Sequence, residues 1–380
     1  MSVSSSLGIY IHIPFCQSIC TYCDFDRQAH GFERIPRYVA ALVADIHRAG
    51  RYKVHSVFFG GGTPSLLTAE QVGGILDACR SSIGLTADAE ITLEANPGDL
   101  TVDLVAGYAD AGVNRMSLGI QSFDDPVLEM LGRRHVAEEA RVAFRTIRAG
   151  GIRNASLDLM YGLPGMTTEI WERTLISALE LEPDHLSCYL LTMDERVPLG
   201  RDVLAGRVTL PVDEEAEAQY SMTMDRLNAA GFEHYEISNW ALPGQSSRHN
   251  LTYWLDQPYL AFGSGAAGSL GGRRWKNHPS PDRYMESVAL GTVARIEDEI
   301  TDEATQLADF ISLQLRLRQG LSPAELELRF GRSLEAVLGP ELHSLRAEGV
   351  LEWHEDRLRI TREWVFVTNE VLARLLACLD

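Results

Sequence analysis

The chain has 380 residues, 45% of them hydrophobic, and a formal net charge of −19. That length supports a large core and about two domains, while the acidic balance argues against a polyanion such as nucleic acid as the main partner. No apolar run approaches the ~20 residues needed to span a bilayer.

Met1 to Leu7 lacks the basic and apolar parts of an export signal. Six cysteines are too sparse for a disulfide framework, so a reduced, cytoplasmic protein is expected. Ile9 to Ile13 reads as a strand and runs into Cys16-Gln17-Ser18-Ile19-Cys20-Thr21-Tyr22-Cys23. This C-x3-C-x2-C spacing offers three thiolates, and Cys sulfur is what ties the irons of a [4Fe–4S] cluster. Three ligands leave the fourth iron open to a small molecule. The competing reading is a structural zinc knuckle, whose fourth ligand would be Cys79, Cys188 or a histidine such as His12.

Tyr38, Leu42 and Ile46 then fall four apart, as on one helix face. Strand-like runs follow at Ser56 to Phe59, Glu90 to Glu94, Arg115 to Ile120, Ala155 to Met160 and His185 to Leu191, with Trp171, Leu175 and Leu179 marking a helix before the last. Alternating strand and helix predicts βαβ units and a parallel sheet. Six such units predict an α/β fold built as a partial (β/α)6 barrel. Chemistry in such barrels collects at the C-terminal strand ends. The sequence places there the Cys loop, Gly60-Gly61-Gly62-Thr63-Pro64, Glu94-Ala95-Asn96-Pro97, Gln121, and Asp158 with Tyr161-Gly162-Leu163-Pro164. The glycines allow close backbone approach, and Gln121 offers both donor and acceptor. Asp158 sits in an apolar run and needs a partner such as Arg133 or a ligand amine. Tyr10 and Tyr22 flank the Cys loop, where they can stack or hydrogen-bond.

Beyond Val212 a helix-like stretch reaches Gly231, followed by an aromatic-rich segment from Tyr235 to Trp275; Asp298 to Asp302 reads as a boundary. From Ala304 the pattern is three helices and a hairpin of Gly349 to Trp353 and Arg357 to Ile360, a winged-helix-like α+β module. The acidic chain speaks against nucleic acid there, leaving a structural or partner-docking role. The expected division is a barrel over 1–232, an aromatic-rich connecting segment over 233–300 and the C-terminal module over 301–380.

The Cys loop followed by the Gly-rich loop resembles the radical SAM superfamily. The strings Tyr10 to Cys16, Gly119-Ile120-Gln121-Ser122-Phe123 and Asp158 to Pro164 narrow this to its HemN/HemW group, over nearly the whole chain. The resemblance implies a [4Fe–4S] cluster on Cys16, Cys20 and Cys23. It also implies S-adenosylmethionine contacted by Tyr10, Tyr22, Gly61, Gly62, Thr63, Glu94, Gln121, Arg133 and Asp158. Phe25 stands where the oxygen-independent coproporphyrinogen dehydrogenases carry an additional Cys. His249-Asn250-Leu251-Thr252-Tyr253-Trp254 is similar to the H-N-x-x-Y-W segment of the group's heme chaperones, in which the His is implicated in heme binding. Imidazole is a common axial ligand of heme iron, so His249 is the expected heme ligand. Gly265-Ala266-Ala267 departs from the group's Gly-Ala-His. The resemblance thus implies a heme chaperone that holds heme, cluster and S-adenosylmethionine. It would deliver heme to respiratory membrane proteins by peripheral contact at the inner face of the membrane, and a homodimer is left open. The alternative is an active radical SAM enzyme on a tetrapyrrole or another substrate.

Overall fold

Runs of β-branched and aromatic residues, broken by amphipathic helices, fold here as a continuous parallel array. In the computed structural model, which describes residues 6–379, the six anticipated strands are β1 (Ser6–Ile13), β2 (Lys53–Gly61), β3 (Leu85–Ala95), β4 (Arg115–Gln121), β5 (Asn154–Tyr161) and β6 (His185–Leu190). Each pairs in parallel with the next. Ile9, Ile11, Ile13, Val57 and Phe59 are all buried. Such near-continuous burial is expected of a parallel sheet covered by helices.

The helices lie between these strands. α1 (Ile35–Ile46) buries Tyr38, Leu42 and Ile46. α2 (Ala69–Ala78) opens with a capping box in which Thr68 and Gln71 satisfy each other's backbone N–H groups. α3 (Val102–Ala111), α4 (Ala137–Ala149) and α5 (Thr168–Leu179) follow. α5 buries Trp171 and Leu175, whose neighbour Leu179 is half-buried. Trp171 Nε1 donates to Thr223 Oγ1 at 2.9 Å, tying α5 to α6 (Asp213–Ala229).

Residues 233–300, which read as a connecting segment, supply strands to both ends of the sheet. β7 (Glu233–Glu236) and β8 (Asn239–Ala241) add antiparallel strands beyond β6. α7 (Arg248–Trp254) then crosses to the other end, packing on β1 and β2. β9 (Tyr259–Phe262) pairs in parallel with β1, and β10 (Ala267–Leu270), β11 (Arg273–Asn277) and β12 (Arg295–Ile300) extend the sheet antiparallel. The full order is β12-β11-β10-β9-β1-β2-β3-β4-β5-β6-β8-β7. These added strands are three to six residues long, and β7, β11 and β12 are largely polar, so their sequences carry little strand signal. α8 (Pro281–Ala289) covers α1, where the Tyr284 hydroxyl donates to Asp45 at 2.8 Å.

The C-terminal module comprises α9 (Glu303–Gln314), α10 (Pro323–Phe330), α11 (Leu334–Ala347), the hairpin β13 (Leu351–His354) and β14 (Arg357–Ile360), and α12 (Thr368–Leu376), which the sequence pattern did not signal. It has its own core around Phe310, Leu326, Leu345 and Leu358. Backbone bonds fasten it to the barrel: Ile237 N–H donates to Arg316 O and Arg318 N–H to Tyr235 O, each at 3.0 Å.

Candidate functional site

Because the six parallel strands share a direction, their C-terminal ends meet at one rim, and a cavity of about 550 Å³ opens there. Cys16, Cys20 and Cys23, all free thiols, line it. Beneath them the Gly-rich loop is pressed against the end of β1. A Cβ on Gly61, whose φ is +111°, would come within 2.6 Å of the His12 ring. One on Gly62 would lie 2.7 Å from the Phe15 carbonyl oxygen and 2.9 Å from Cys16 Sγ. Only glycine fits such positions.

A chain of hydrogen bonds links two of the thiols across the cavity. Thr63 Oγ1 donates to Cys16 Sγ at 3.5 Å and accepts from Asn96 Nδ2 at 3.1 Å. Asn96 Oδ1 accepts from Arg133 at 2.8 Å, and Arg133 Nη1 reaches Cys20 Sγ at 3.5 Å. Arg133 also donates to the Gly119 carbonyl, while its buried Nε has no partner. Asn96 was not singled out as a site residue, although it stands inside the Glu94-to-Pro97 motif at the end of β3. The Cys loop is pinned from behind. His12 bonds the Asp26 carbonyl through Nε2 at 2.7 Å and the Tyr10 hydroxyl through Nδ1 at 3.0 Å. Lys276 on β11 pairs with the Asp26 carboxylate at 3.0 Å.

Two carboxylates face the cavity from deep within the barrel. Burial, reinforced by neighbouring Asp158, pushes Glu94 up to about 8, against the opposing Gly61 N–H and Arg115. Burial likewise raises Asp158, although the Ser117 hydroxyl donates to both its oxygens at 2.9 Å. Among the described residues neither carboxylate forms an ion pair, and such a pair suits a cationic ligand. Gln121 is held at φ +70°, a left-handed conformation uncommon for a non-glycine residue, beside a register shift in β4.

The cavity therefore gathers the three cysteines with Tyr22, Gly61, Gly62, Thr63, Glu94, Gln121, Arg133 and Asp158. Tyr10 is outside its lining, stacked on Phe58 with ring centroids 6.3 Å apart. Cys79 and Cys188 are buried away from it, at the end of α2 and within β6. Among the described residues no three His, Cys, Asp or Glu side chains converge on one point. A second cavity, of about 480 Å³, shares Tyr189, Leu190 and Thr192 with the first and is lined by Asn250, Tyr253 and Trp254 of α7. His249 lines neither cavity.

Residues 10–177 match the Radical SAM superfamily, and residues 302–366 match the HemN C-terminal domain. The fold is that of the coproporphyrinogen III oxidase (HemN) from Escherichia coli, described as a radical SAM enzyme. The TM-score is 0.84 at 22% identity, over 100% of this chain and 91% of that one. Fold and site together define a radical SAM protein with a HemN-type C-terminal domain. Among curated relatives, the heme chaperone HemW of Bacillus subtilis (strain 168) is 35% identical over 97% of this chain and 98% of its own. That of Escherichia coli (strain K12) is 36% identical over 98% of each chain. The mitochondrial radical S-adenosyl methionine domain-containing protein 1 of Mus musculus is 34% identical over 99% of this chain and 88% of its own. The chain belongs to the HemW family. Among the described residues no helix is long and apolar enough to cross a membrane.

Proposed function

We propose that this chain is a heme chaperone that holds a [4Fe–4S] cluster and S-adenosylmethionine in the rim cavity and passes heme to respiratory haemoproteins by peripheral contact with the membrane. The observation that carries the cofactor part is the linked set Cys16–Thr63–Asn96–Arg133–Cys20, which holds two free thiols at a cavity that Glu94 and Asp158 also line.

The residues present fit both groups. The three thiols line one cavity, as three ligands of a cube whose irons each take one sulfur must. Gly62 leaves the backbone bare beside Cys16. When bound, cluster and cosubstrate supply one-electron chemistry, and the protein supplies position, charge and shelter from water. Cys16, Cys20 and Cys23 would hold the cluster. Glu94 and Asp158 would accept hydrogen bonds from the amino and hydroxyl groups of the cosubstrate, whose positive charge favours their ionised forms. Arg133 supplies a fixed positive charge against the thiolates. The heme part rests on the full-length likeness to relatives named heme chaperones. Phe25, 60% exposed at the cavity mouth where the related dehydrogenases have a thiol, favours chaperone over dehydrogenase.

Anaerobic reconstitution tests the reading on one sample, by iron counting, titration with S-adenosylmethionine and heme, and assay for 5′-deoxyadenosine with coproporphyrinogen. The expected result is about four irons per chain, saturable binding of both ligands and no coproporphyrinogen-dependent turnover. Decarboxylation of that substrate would replace the chaperone with an enzyme.

A further inference from the structure

The barrel interior is stacked in rows, because residues in parallel register set their side chains on the same face of the sheet. Thr92 of β3, Arg115 of β4 and Asn154 of β5 form one row. Glu94, Ser117 and Ser156 form the row above it. Asp158 stands one row higher, opposite Gly119, and accepts from the Ser117 hydroxyl at 2.9 Å through each oxygen. Glu94, Ser117 and Asp158 line the rim cavity, so strand alternation turns Arg115 inward beneath them. Arg115 itself is outside the lining.

Arg115 is 2% exposed, yet among the described residues its guanidinium forms no ion pair and its Nε has no hydrogen bond. The Thr92 hydroxyl beside it is also buried and unpartnered. A guanidinium cannot shed its proton, and an apolar side chain of similar volume would fill the space without the cost of a buried charge. Packing therefore does not account for an arginine here. Its charge does reach both carboxylates, opposing the burial that raises Glu94 and Asp158. The other titratable groups around the pair stay neutral: burial raises Tyr10, Tyr189, Tyr253 and Cys188 and lowers His185. Arg133 is turned to Cys20 and the Gly119 carbonyl. Glu90, the next inward residue of β3 below Thr92, is taken up by the N–H groups of Arg248 and His249, each at 3.0 Å.

Resting on the cofactor reading above, we propose that Arg115 is a positioning residue of the S-adenosylmethionine site, a fixed positive charge set beneath the two carboxylates that the cosubstrate's cation meets from above. Glu94 and Asp158 then lie between two positive charges, one permanent and one that arrives with the ligand. Arg115 is nearer to the carboxylates than to the cavity's occupant, so it helps them ionise more than it repels the cation. Because it acts without a direct bond, the carboxylate oxygens stay available to the ligand's donors.

The test titrates the reconstituted full-length protein with S-adenosylmethionine by anaerobic calorimetry at about pH 6.5 and about pH 9.5, either side of the value of about 8 to which burial lifts Glu94. Arg115→Met keeps the bulk and removes the charge. It is expected to bind about tenfold more weakly than wild type at the lower pH, where the ligand must ionise a carboxylate unaided. At the higher pH the carboxylates are already anions, and it is expected to bind as tightly as wild type or more tightly, since repulsion is relieved. Titration of the cosubstrate's own amine cancels in the ratio of variant to wild type. Arg115→Lys, which keeps the charge, should hold that ratio near one at both values. The melting temperature of ligand-free Arg115→Met should equal or exceed that of wild type, as when an unpaired buried charge gives way to an apolar side chain. Iron content reports an intact site, and Arg115→Gln carries the same expectation should the methionine variant lose iron. A ratio that is the same at both pH values, near one or uniformly low, would overturn the inference while leaving the cofactor reading in place. Failure of the wild type to bind S-adenosylmethionine would remove that reading itself, and this inference with it.

Discussion

The rim cavity and the cavity beside it share three wall residues yet are assembled in opposite ways. The first takes its principal walls from strand ends and the loops that follow them, so each contribution is a short contiguous motif. The second draws on α7, the β7–β8 turn, the end of α9 and the turn before α12, segments brought together only when the C-terminal module docks. The difference teaches which walls of a cavity the sheet itself holds and which arise only at a junction between domains. Strand-end motifs are held by the sheet itself, whereas a wall made at a domain junction can change without disturbing the sheet.

The sharpest way to break this comparison is to remove the thiols. Replacing Cys16, Cys20 and Cys23 by Ala is expected to lower iron from about four per chain to near zero and to abolish S-adenosylmethionine binding. Heme affinity should stay within about threefold of wild type, below 1 kcal/mol. Loss of heme binding along with iron would mean that heme, too, depends on the rim cavity. Next in size is Glu94→Gln, which should weaken S-adenosylmethionine about tenfold or more, measured by calorimetry, as a charged hydrogen bond is lost.

The same residue gives a pH test. Glu94 is raised from 4.5 to about 8 in the folded protein, so the native state keeps a proton that the unfolded chain releases. Its contribution to stability is full below pH 4.5 and is lost as pH rises through 8. Thermal melts of the ligand-free protein between these values should show that decline, and Glu94→Gln should make it shallower, leaving the part that buried Glu236, itself raised to about 7, contributes. Asn96→Ala opens the link between Thr63 and Arg133 and is expected to cost about 1–3 kcal/mol, because it strands buried partners; chemical denaturation would measure it. Smallest is Lys276→Ala. Its pair with Asp26 is about one-third exposed on each side, worth no more than about 1 kcal/mol. Its expected mark is faster loss of iron in air, read as bleaching of the cluster's visible absorbance, with little change in melting temperature.

Legibility followed the same division as the cavities. The Cys loop, Gly61, Gly62, Thr63, Glu94, Gln121 and Asp158 could be placed on one rim because strand periodicity tells where each strand ends. Asn96 was visible as part of a motif, but its bond to Arg133 was not, since the partner lies 37 positions away. Tyr10 read as a site residue from its place before the Cys loop. Strand alternation and the Phe58 ring instead carry it beside His12, outside the lining. His249 and Tyr253 share a helix face by their spacing of four. Which of them meets a cavity depends on Ser56 and Phe58 of β2, nearly two hundred residues earlier.

By itself the amino-acid order determined the parallel barrel, the rim on which its motifs gather and the module that follows, because local periodicity and glycine or cysteine spacing encode element type and nearby chemistry. Tertiary structure alone decided that residues 233–300 extend both ends of the sheet, that the C-terminal module walls a second cavity, and that His249 faces inward. Those outcomes turn on which distant surfaces bury one another, and short strands and single side chains carry too little local preference to declare it in advance.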